Sequence, residues 1–272
     1  MKDITKIKEK LERYYASKCK FCGCDNIAKC YNPDGCECKV AAETKAYLYS
    51  IVPYPYYRYT IWDFNGFTNN KMALSPKVIN EAKAVLLKYC WAGVKIEDLQ
   101  ENISSKKSLN LDKKSIMDER RDRGTNLLIY SPNEFQTGKT FVASIVMREA
   151  IKRRARYGHS AETYDWISFV RLKHLIKKES DEIPHLESCD WLVVDDIPYD
   201  KGMTVGSEAF LTSLIDPFFA ERLEEGLPTI FVFKFDIDDP GNRWEDKFGM
   251  SISSIVKSRY SYKIKLFDKN DR

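Results

Sequence analysis

The sequence contains no long apolar run and carries little net charge. No stretch reaches the roughly 18–20 apolar residues that a membrane-spanning helix needs, and residues 1–10 lack the apolar core of a signal peptide. These two absences predict a cytoplasmic protein without a membrane partner. Because 44 basic residues oppose 40 acidic ones, the formal charge is only +4. Overall charge therefore does not indicate nucleic-acid binding, which would require local clusters.

Cysteine is scarce outside one short segment. Six of the eight cysteines lie between Cys19 and Cys38, while Cys90 and Cys189 are isolated in apolar surroundings. In a reducing compartment, six cysteines within 20 residues favour metal binding over disulfides. Thiolate pairs at this close spacing suit tetrahedral Zn²⁺. An iron–sulfur cluster, which also uses four thiolates, is the alternative.

The second half of the chain alternates short apolar segments with helical patterns. We expect strands at residues 126–130, 161–167, 191–194, 229–233 and 262–267. We expect helices at residues 140–156, 168–178, 207–225 and 253–260, the third interrupted or bent near Pro217. This alternation predicts an α/β fold with a mostly parallel sheet covered on both faces.

The first half reads as a small module joined to a larger domain. Helical patterns occur at residues 1–18, 40–50 and 75–91, whereas residues 93–123 are polar and predict a loop with one short helix. We expect a module at residues 1–50 and a main domain at residues 51–272, and the aromatic stretch at residues 51–67, which begins the main domain, forms the joint. We expect its residues 54–59 to pack as a hinge or to contact an adenine base.

A phosphate-binding loop is predicted at residues 133–140, NEFQTGKT, between a strand and a helix. Gly138, Lys139 and Thr140 match the end of the G-x-x-x-x-G-K-[ST] pattern, in which backbone N–H groups and the helix N-terminus hold phosphate. Lys139 would neutralise the β- and γ-phosphate oxygens of ATP, and Thr140 would bind Mg²⁺. Asn133 replaces the first glycine, and asparagine tolerates positive φ better than most residues.

A second motif follows about 55 residues after Lys139, where the apolar run WLVV ends in two acidic residues, Asp195 and Asp196. We expect Asp195 to hold Mg²⁺ through water and Asp196 to orient or deprotonate the attacking water. Many ATPases use the longer glutamate at the second position. The shorter Asp196 therefore predicts slow ATP hydrolysis.

With both motifs placed, the chain resembles the AAA+ helicase loaders of the DnaC/DnaI type, which are related to the IstB transposition helpers. The resemblance covers most of the chain. It rests on LLIYSPNEFQTGKT, WLVVDDI, EGLPTIFVFKFD, the C-terminal SSIVKSRYSYKIKLFDKNDR, the joint VPYPYYRYTIWDFNG and the N-terminal C-x-x-C and C-x-C pairs. It implies an AAA+ ATPase domain preceded by a zinc-binding module that docks a helicase.

Further residue roles are implied by this resemblance. Arg259 falls on the family's arginine near the end of the lid-side helix, which acts in trans on a neighbour's γ-phosphate. Lys234 stands where the family carries a polar run whose asparagine contacts the nucleophilic water or the γ-phosphate. Lysine could contact phosphate directly but cannot accept a hydrogen bond. The cysteine pairs that match the loaders best are Cys19/Cys22 and Cys36/Cys38, so Cys24 and Cys30 could replace a ligand or belong to another site.

The resemblance also implies partners. These are a hexameric replicative DNA helicase, single-stranded DNA and further copies of the chain associating through the ATPase domain, in a bacterium or encoded by its phage. Basic runs at residues 148–156 and at Arg171, Lys173, Lys177 and Lys178 would then be DNA contacts or solvated faces. Two alternatives remain: an IstB-like helper, against which the cysteine module argues, and a non-hydrolysing ATP-binding adaptor.

Overall fold

A computed structural model describes residues 37–53, 56–64, 74–91, 116–132, 137–157, 162–198, 205–239 and 245–267. In these residues, five strands form one sheet. They are β1 (Leu127–Tyr130), β2 (Tyr164–Ser168), β3 (Trp191–Ile197), β4 (Thr229–Phe233) and β5 (Tyr262–Lys265). Every pairing is parallel, and the strand order is β2-β3-β4-β1-β5. The predicted α/β architecture with a parallel sheet is confirmed.

Helices cover both faces of this sheet. They are α1 (Glu37–Ile51), α2 (Pro76–Trp91), α3 (Ile116–Asp122), α4 (Lys139–Tyr157), α5 (Phe169–Lys177), α6 (Ile183–Ser188), α7 (Val205–Glu224) and α8 (Glu245–Lys257). Two 3-10 turns, Tyr56–Arg58 and Ile61–Asp63, lie between α1 and α2. None of the helices in the described part of the chain is both long and apolar enough to cross a membrane.

Alternation along the strands divides the core into two layers. In β1, Leu127 and Ile129 face a layer that includes side chains of α1, α2 and α4. Leu128 and Tyr130 face the opposite layer, which includes side chains of α5, α6, α7 and α8. Because the central strands are buried on both faces, their sequences are continuous apolar runs rather than alternating ones.

Helix α1 belongs to the covering of the sheet. Val40, Ala46 and Leu48 are buried, and the helix packs against α4. The sequence assigned its residues to the N-terminal module. In the fold, these residues pack directly on the helix that follows the phosphate loop. Residues 1–36, with the predicted first helix, lie outside the described part.

Two helices differ from the expectation. Helix α7 continues through Pro217 without interruption. The helix expected at residues 253–260 begins instead at Glu245 and ends at Lys257, with a kink at Gly249, whose φ of 81° lies in the left-handed region. The Asp216 carboxylate accepts a hydrogen bond from the backbone N–H of Ser251, at 2.8 Å, directly after the kink. This bond satisfies one of the donors that the kink frees.

Candidate functional site

The end of the phosphate loop joins β1 to α4. Asn133 lies outside the described residues, so its role stays a prediction. Thr137 and Gly138 immediately precede α4, which begins at Lys139. Because α4 runs for 19 residues and its first N–H groups point toward the loop, this end of the helix favours an anion. The structure thus brings Gly138, Lys139 and Thr140 to the carboxyl edge of the sheet.

Gly138 is required by its backbone conformation. Its φ is +80°, whereas a Cβ added there would lie 3.8 Å from the Phe64 ring, an ordinary contact. The constraint is therefore the left-handed φ, which glycine adopts without strain. The next residue, Lys139, is buried, and its ammonium donates a hydrogen bond to the Thr137 hydroxyl at 3.0 Å. A buried ammonium in the phosphate loop is suited to binding an anion.

The two aspartates at the end of β3 are separated by a bulge. Pairing between β3 and β4 is regular up to Val194, shifts, and resumes at Ile197. Asp196 has a φ of 62°, a left-handed conformation that aspartate tolerates better than most residues but that still stores strain of about 1 kcal/mol or more. As a result, Asp195 is buried while Asp196 is exposed. A bulge beside a functional site commonly re-aims a side chain in this way.

Asp195 connects the acidic strand to the phosphate-loop helix. Its carboxylate accepts hydrogen bonds from the Thr140 hydroxyl and the Trp166 indole N–H. It also accepts one from the backbone N–H of Asp196, at 2.8 Å. Burial, and after it the charge of Asp196, raise the pKa of Asp195 to about 6, although these hydrogen bonds act in the opposite direction. A carboxylate held close to a hydroxyl in this way matches the hard oxygen ligands that Mg²⁺ prefers.

Asp196 forms an ion pair with Lys234. The Lys234 ammonium lies 3.0 Å from Asp196 Oδ1. Lys234 follows β4 directly, and its backbone N–H donates to the carbonyl of Ile197 at 2.8 Å. The structure therefore brings these two predicted catalytic residues into direct contact.

The aromatic stretch before α2 is fixed to α4. The Arg148 guanidinium, on α4, donates hydrogen bonds to the backbone carbonyls of Tyr57, at 2.6 Å, and Tyr59, at 2.8 Å. The ring of Phe64 stacks on that of Phe141 with 5.6 Å between ring centroids. These contacts support the prediction that the stretch packs as a joint.

Tyr56, in the same stretch, lies in the electrostatic field of the acidic pair. Burial raises the pKa of its phenol, and the charges of Asp195 and Asp196 raise it further. The phenol is therefore kept protonated. Tyr56 and Trp166 are site residues that the sequence did not single out, because only the folded chain brings them to Asp195.

Arg259 lies apart from the phosphate loop. It falls in a turn after α8 rather than in a helix, which corrects the expectation of a helix through residue 260. The Ser261 hydroxyl donates to the carbonyl of Ile255 at 2.7 Å, and this bond stabilises the turn. The Arg259 side chain is exposed, with its guanidinium 4.8 Å from the centroid of the Tyr260 ring.

Two arginines of the basic run at the end of α4 make contacts that stabilise the fold. Besides Arg148, Arg153 is buried and forms an ion pair with Glu162. On α5, Arg171 pairs with Glu182 at 2.9 Å, with both side chains largely exposed. Arg148 and Arg153 are therefore structural, whereas Arg171 lies at the surface.

The predicted zinc ligands fall almost entirely outside the described residues. Cys19, Cys22 and Cys36 precede residue 37, as do Cys24 and Cys30. Cys38 lies in α1, where nothing is described of its side chain. In the ranges that are described, no three metal-ligating side chains are close enough together to hold an ion. The zinc site therefore stays a prediction.

No protein-family model matches the sequence, and no curated protein matches it significantly. Among solved structures, DnaI is 16% identical with a TM-score of 0.44, covering 81% of this chain and 94% of that one. A putative primosome component from Streptococcus pyogenes serotype M3 is 15% identical with a TM-score of 0.44, covering 80% and 92%. The DnaC helicase loader is 13% identical with a TM-score of 0.44, covering 79% and 99%.

Proposed function

We propose that this chain is an ATP-binding loader of a replicative DNA helicase. One observation carries the nucleotide part of the proposal. The Thr140 hydroxyl, at the start of the phosphate-loop helix, is hydrogen-bonded to the buried Asp195 carboxylate at the end of β3. Because β4 lies between β1 and β3, the fold brings together a phosphate-loop hydroxyl and a carboxylate from two strands that are not neighbours.

The residues present fit Mg²⁺ and ATP. Thr140 and Asp195 supply hard oxygen donors, and Lys139 supplies a buried cation beside the N-terminus of α4. When bound, ATP supplies the phosphoanhydride bond whose hydrolysis would change the state of the loader. Lys139 would bind the phosphate oxygens, Asp195 would hold the metal through water, and Asp196 would orient the attacking water.

The loader's other parts come from the sequence resemblance. Arg259 would act on the nucleotide of a neighbouring copy, and its exposure is compatible with that role. Residues 1–50 would form a zinc-binding module that docks the helicase, and residues 51–272 the ATPase domain that handles single-stranded DNA. Since α1 packs on α4, helicase docking at the module would alter the packing of the phosphate-loop helix.

Affinity capture tests the loader proposal. The full chain carrying a C-terminal tag is expressed in its native host and isolated with ATP and Mg²⁺. We expect the hexameric replicative helicase to be recovered in near-stoichiometric amounts and identified by mass spectrometry. Lys139→Ala is the matched comparison, because nucleotide-dependent recovery should decrease in it. Absence of the helicase from both samples would contradict the loader function.

A second candidate is an adaptor that binds ATP without hydrolysing it. The Asp196–Lys234 ion pair favours it, because a carboxylate oxygen that is held by a lysine is less available to orient an attacking water. ATP turnover of the purified chain, with and without single-stranded DNA, separates the two functions. We expect slow turnover; tight ATP binding with no turnover under either condition would support the adaptor.

A further inference from the structure

We propose that the γ-phosphate of ATP and the Asp196 carboxylate compete for Lys234, so that the Asp196–Lys234 ion pair reports whether the bound nucleotide is ATP or ADP. This inference rests on the proposed nucleotide site. It assigns a regulatory role to a residue that replaces the polar residue expected after β4. In the resulting cycle, ATP would separate the ion pair and ADP would leave it intact.

The position of Lys234 in the sheet supports this competition. Phe233, the residue before it, pairs with Tyr130 at the end of β1 and with Ile197 at the end of β3. Lys234 therefore emerges between the strand that leads into the phosphate loop and the strand that carries the two aspartates. A flexible four-carbon side chain starting there has Asp196 on one side and the phosphate loop on the other.

The anchoring of the two residues decides which of them moves. The Lys234 backbone N–H bonds the Ile197 carbonyl, and Asp196 is held in its left-handed conformation by the bulge. Both backbones are thus fixed at the carboxyl edge of the sheet. The movable part is the Lys234 side chain, which has four rotatable bonds, whereas the aspartate side chain is short.

The ion pair is also weak enough to exchange. The Lys234 side chain is 25% exposed and the Asp196 side chain 51% exposed. Solvent screens such a pair, which therefore contributes little to stability. A γ-phosphate carries more charge than a carboxylate and presents more acceptor oxygens, so it can replace Asp196 as the partner of Lys234. ADP lacks the γ-phosphate, so with ADP bound the Lys234 ammonium stays paired with Asp196.

A double-mutant cycle on the full-length chain tests the competition. Affinities for ADP and for the non-hydrolysable imido analogue of ATP are measured by calorimetry at saturating Mg²⁺. The variants are Asp196→Asn, Lys234→Met and the double variant, and exposed Lys77→Met, on α2, serves as the control. Lys234→Gln repeats the lysine substitution with a polar side chain, in case the methionine variant folds poorly.

The expected pattern is specific to the analogue. Asp196→Asn should raise affinity for the analogue by roughly threefold to fivefold, the strength of an exposed ion pair, and should change ADP affinity less. Lys234→Met should lower analogue affinity, and in its background Asp196→Asn should bring no further gain. Lys77→Met should match the wild type.

Either of two results would overturn this inference and leave the proposed function standing. The first is an equal gain for both nucleotides in Asp196→Asn. The second is the same gain in the Lys234→Met background, because either would reflect only the loss of a negative charge near phosphate. By contrast, failure of the wild-type chain to bind either nucleotide would overturn the proposed function and the inference with it.

Discussion

The hydroxyl of Thr140 hydrogen-bonds the carboxylate of Asp195, joining the first turn of the phosphate-loop helix to the end of β3. The two residues are far apart in sequence and lie on elements separated by β4. Their contact requires the parallel sheet to place the carboxyl ends of β1 and β3 at the same edge. The two residues proposed to hold Mg²⁺ are thus brought together by the fold itself.

Burial of Asp195 at this position has an electrostatic cost, and a prediction about stability follows from it. The pKa of Asp195 is raised from 3.8 to about 6, so the folded protein holds the proton more tightly than the unfolded chain. Stability from the protonated form is present below pH 4 and is lost as pH rises through about 6. At pH 7.5 the loss amounts to roughly 2–3 kcal/mol. We therefore expect Asp195→Asn to raise the melting temperature of the nucleotide-free protein.

Thermal unfolding at two pH values checks the sign. The advantage of Asp195→Asn over the wild type should be larger at pH 7.5 than at pH 5. Asp181→Asn, an exposed substitution in the turn before α6, should show no such pH dependence. A constant difference between Asp195→Asn and the wild type at both pH values would contradict the assigned pKa.

A second prediction concerns Arg259. Because its side chain is exposed after α8, Arg259→Ala should leave ATP binding nearly unchanged. It should lower turnover or ATP-dependent assembly, since an arginine supplied in trans is worth on the order of 10³-fold or more in related phosphate chemistry. Slow basal turnover would reduce the visible effect, so assembly is followed by light scattering as well. If the variant hydrolyses ATP and assembles like the wild type, Arg259 has no role in the mechanism.

Lys257→Ala is the matched control for Arg259. It removes a neighbouring exposed cation at the end of α8. We expect this variant to hydrolyse ATP and assemble like the wild type. Equal defects in both variants would indicate a general charge effect rather than a specific arginine.

A third prediction concerns the cysteine-rich segment. Cys19→Ser combined with Cys22→Ser should remove about one zinc per chain, measured by elemental analysis, because a structural zinc site needs four ligands. Helicase capture should be lost while ATP affinity stays near that of the wild type, because metal binding supplies folding free energy to a small module. If helicase capture is retained, the docking surface lies in the ATPase domain instead. If the protein contains iron and absorbs visible light, the cysteines bind an iron–sulfur cluster rather than zinc.

Cys90→Ser is a useful comparison for that experiment. Cys90 is buried in α2, where burial raises the pKa of its thiol well above the usual range. A thiol of this kind is inert and packs as a small apolar group. The substitution should therefore leave the metal content unchanged, although it can lower stability.

The sequence predicted the parts of the site that follow from local pattern. Gly138, Lys139 and Thr140 stand at a strand-to-helix junction, and the run WLVV before Asp195 is a buried strand. In both cases a continuous apolar run implied a strand buried on both faces of a parallel sheet. Motif and periodicity were sufficient there because each of these functional residues directly follows or begins a strand or helix that the local sequence predicts.

The remaining features depend on contacts between distant segments. The bulge that exposes Asp196 is a change in register between β3 and β4, which no local pattern encodes. Pairing of Asp196 with Lys234 depends on that register. Likewise, α8 begins before the kink at Gly249, and the Asp216 carboxylate accepts a hydrogen bond from the backbone beyond that kink. A glycine in a helical pattern ordinarily indicates an end.

The central claim, that the phosphate loop binds ATP, is tested most directly by equilibrium binding of a fluorescent ATP analogue to Lys139→Ala, with Lys152→Ala on the same helix as the control. Removing a buried charged partner costs about 2–5 kcal/mol. Affinity should therefore fall roughly 30-fold or more in Lys139→Ala and stay at the wild-type value in Lys152→Ala. Wild-type affinity in a folded Lys139→Ala protein would contradict the account.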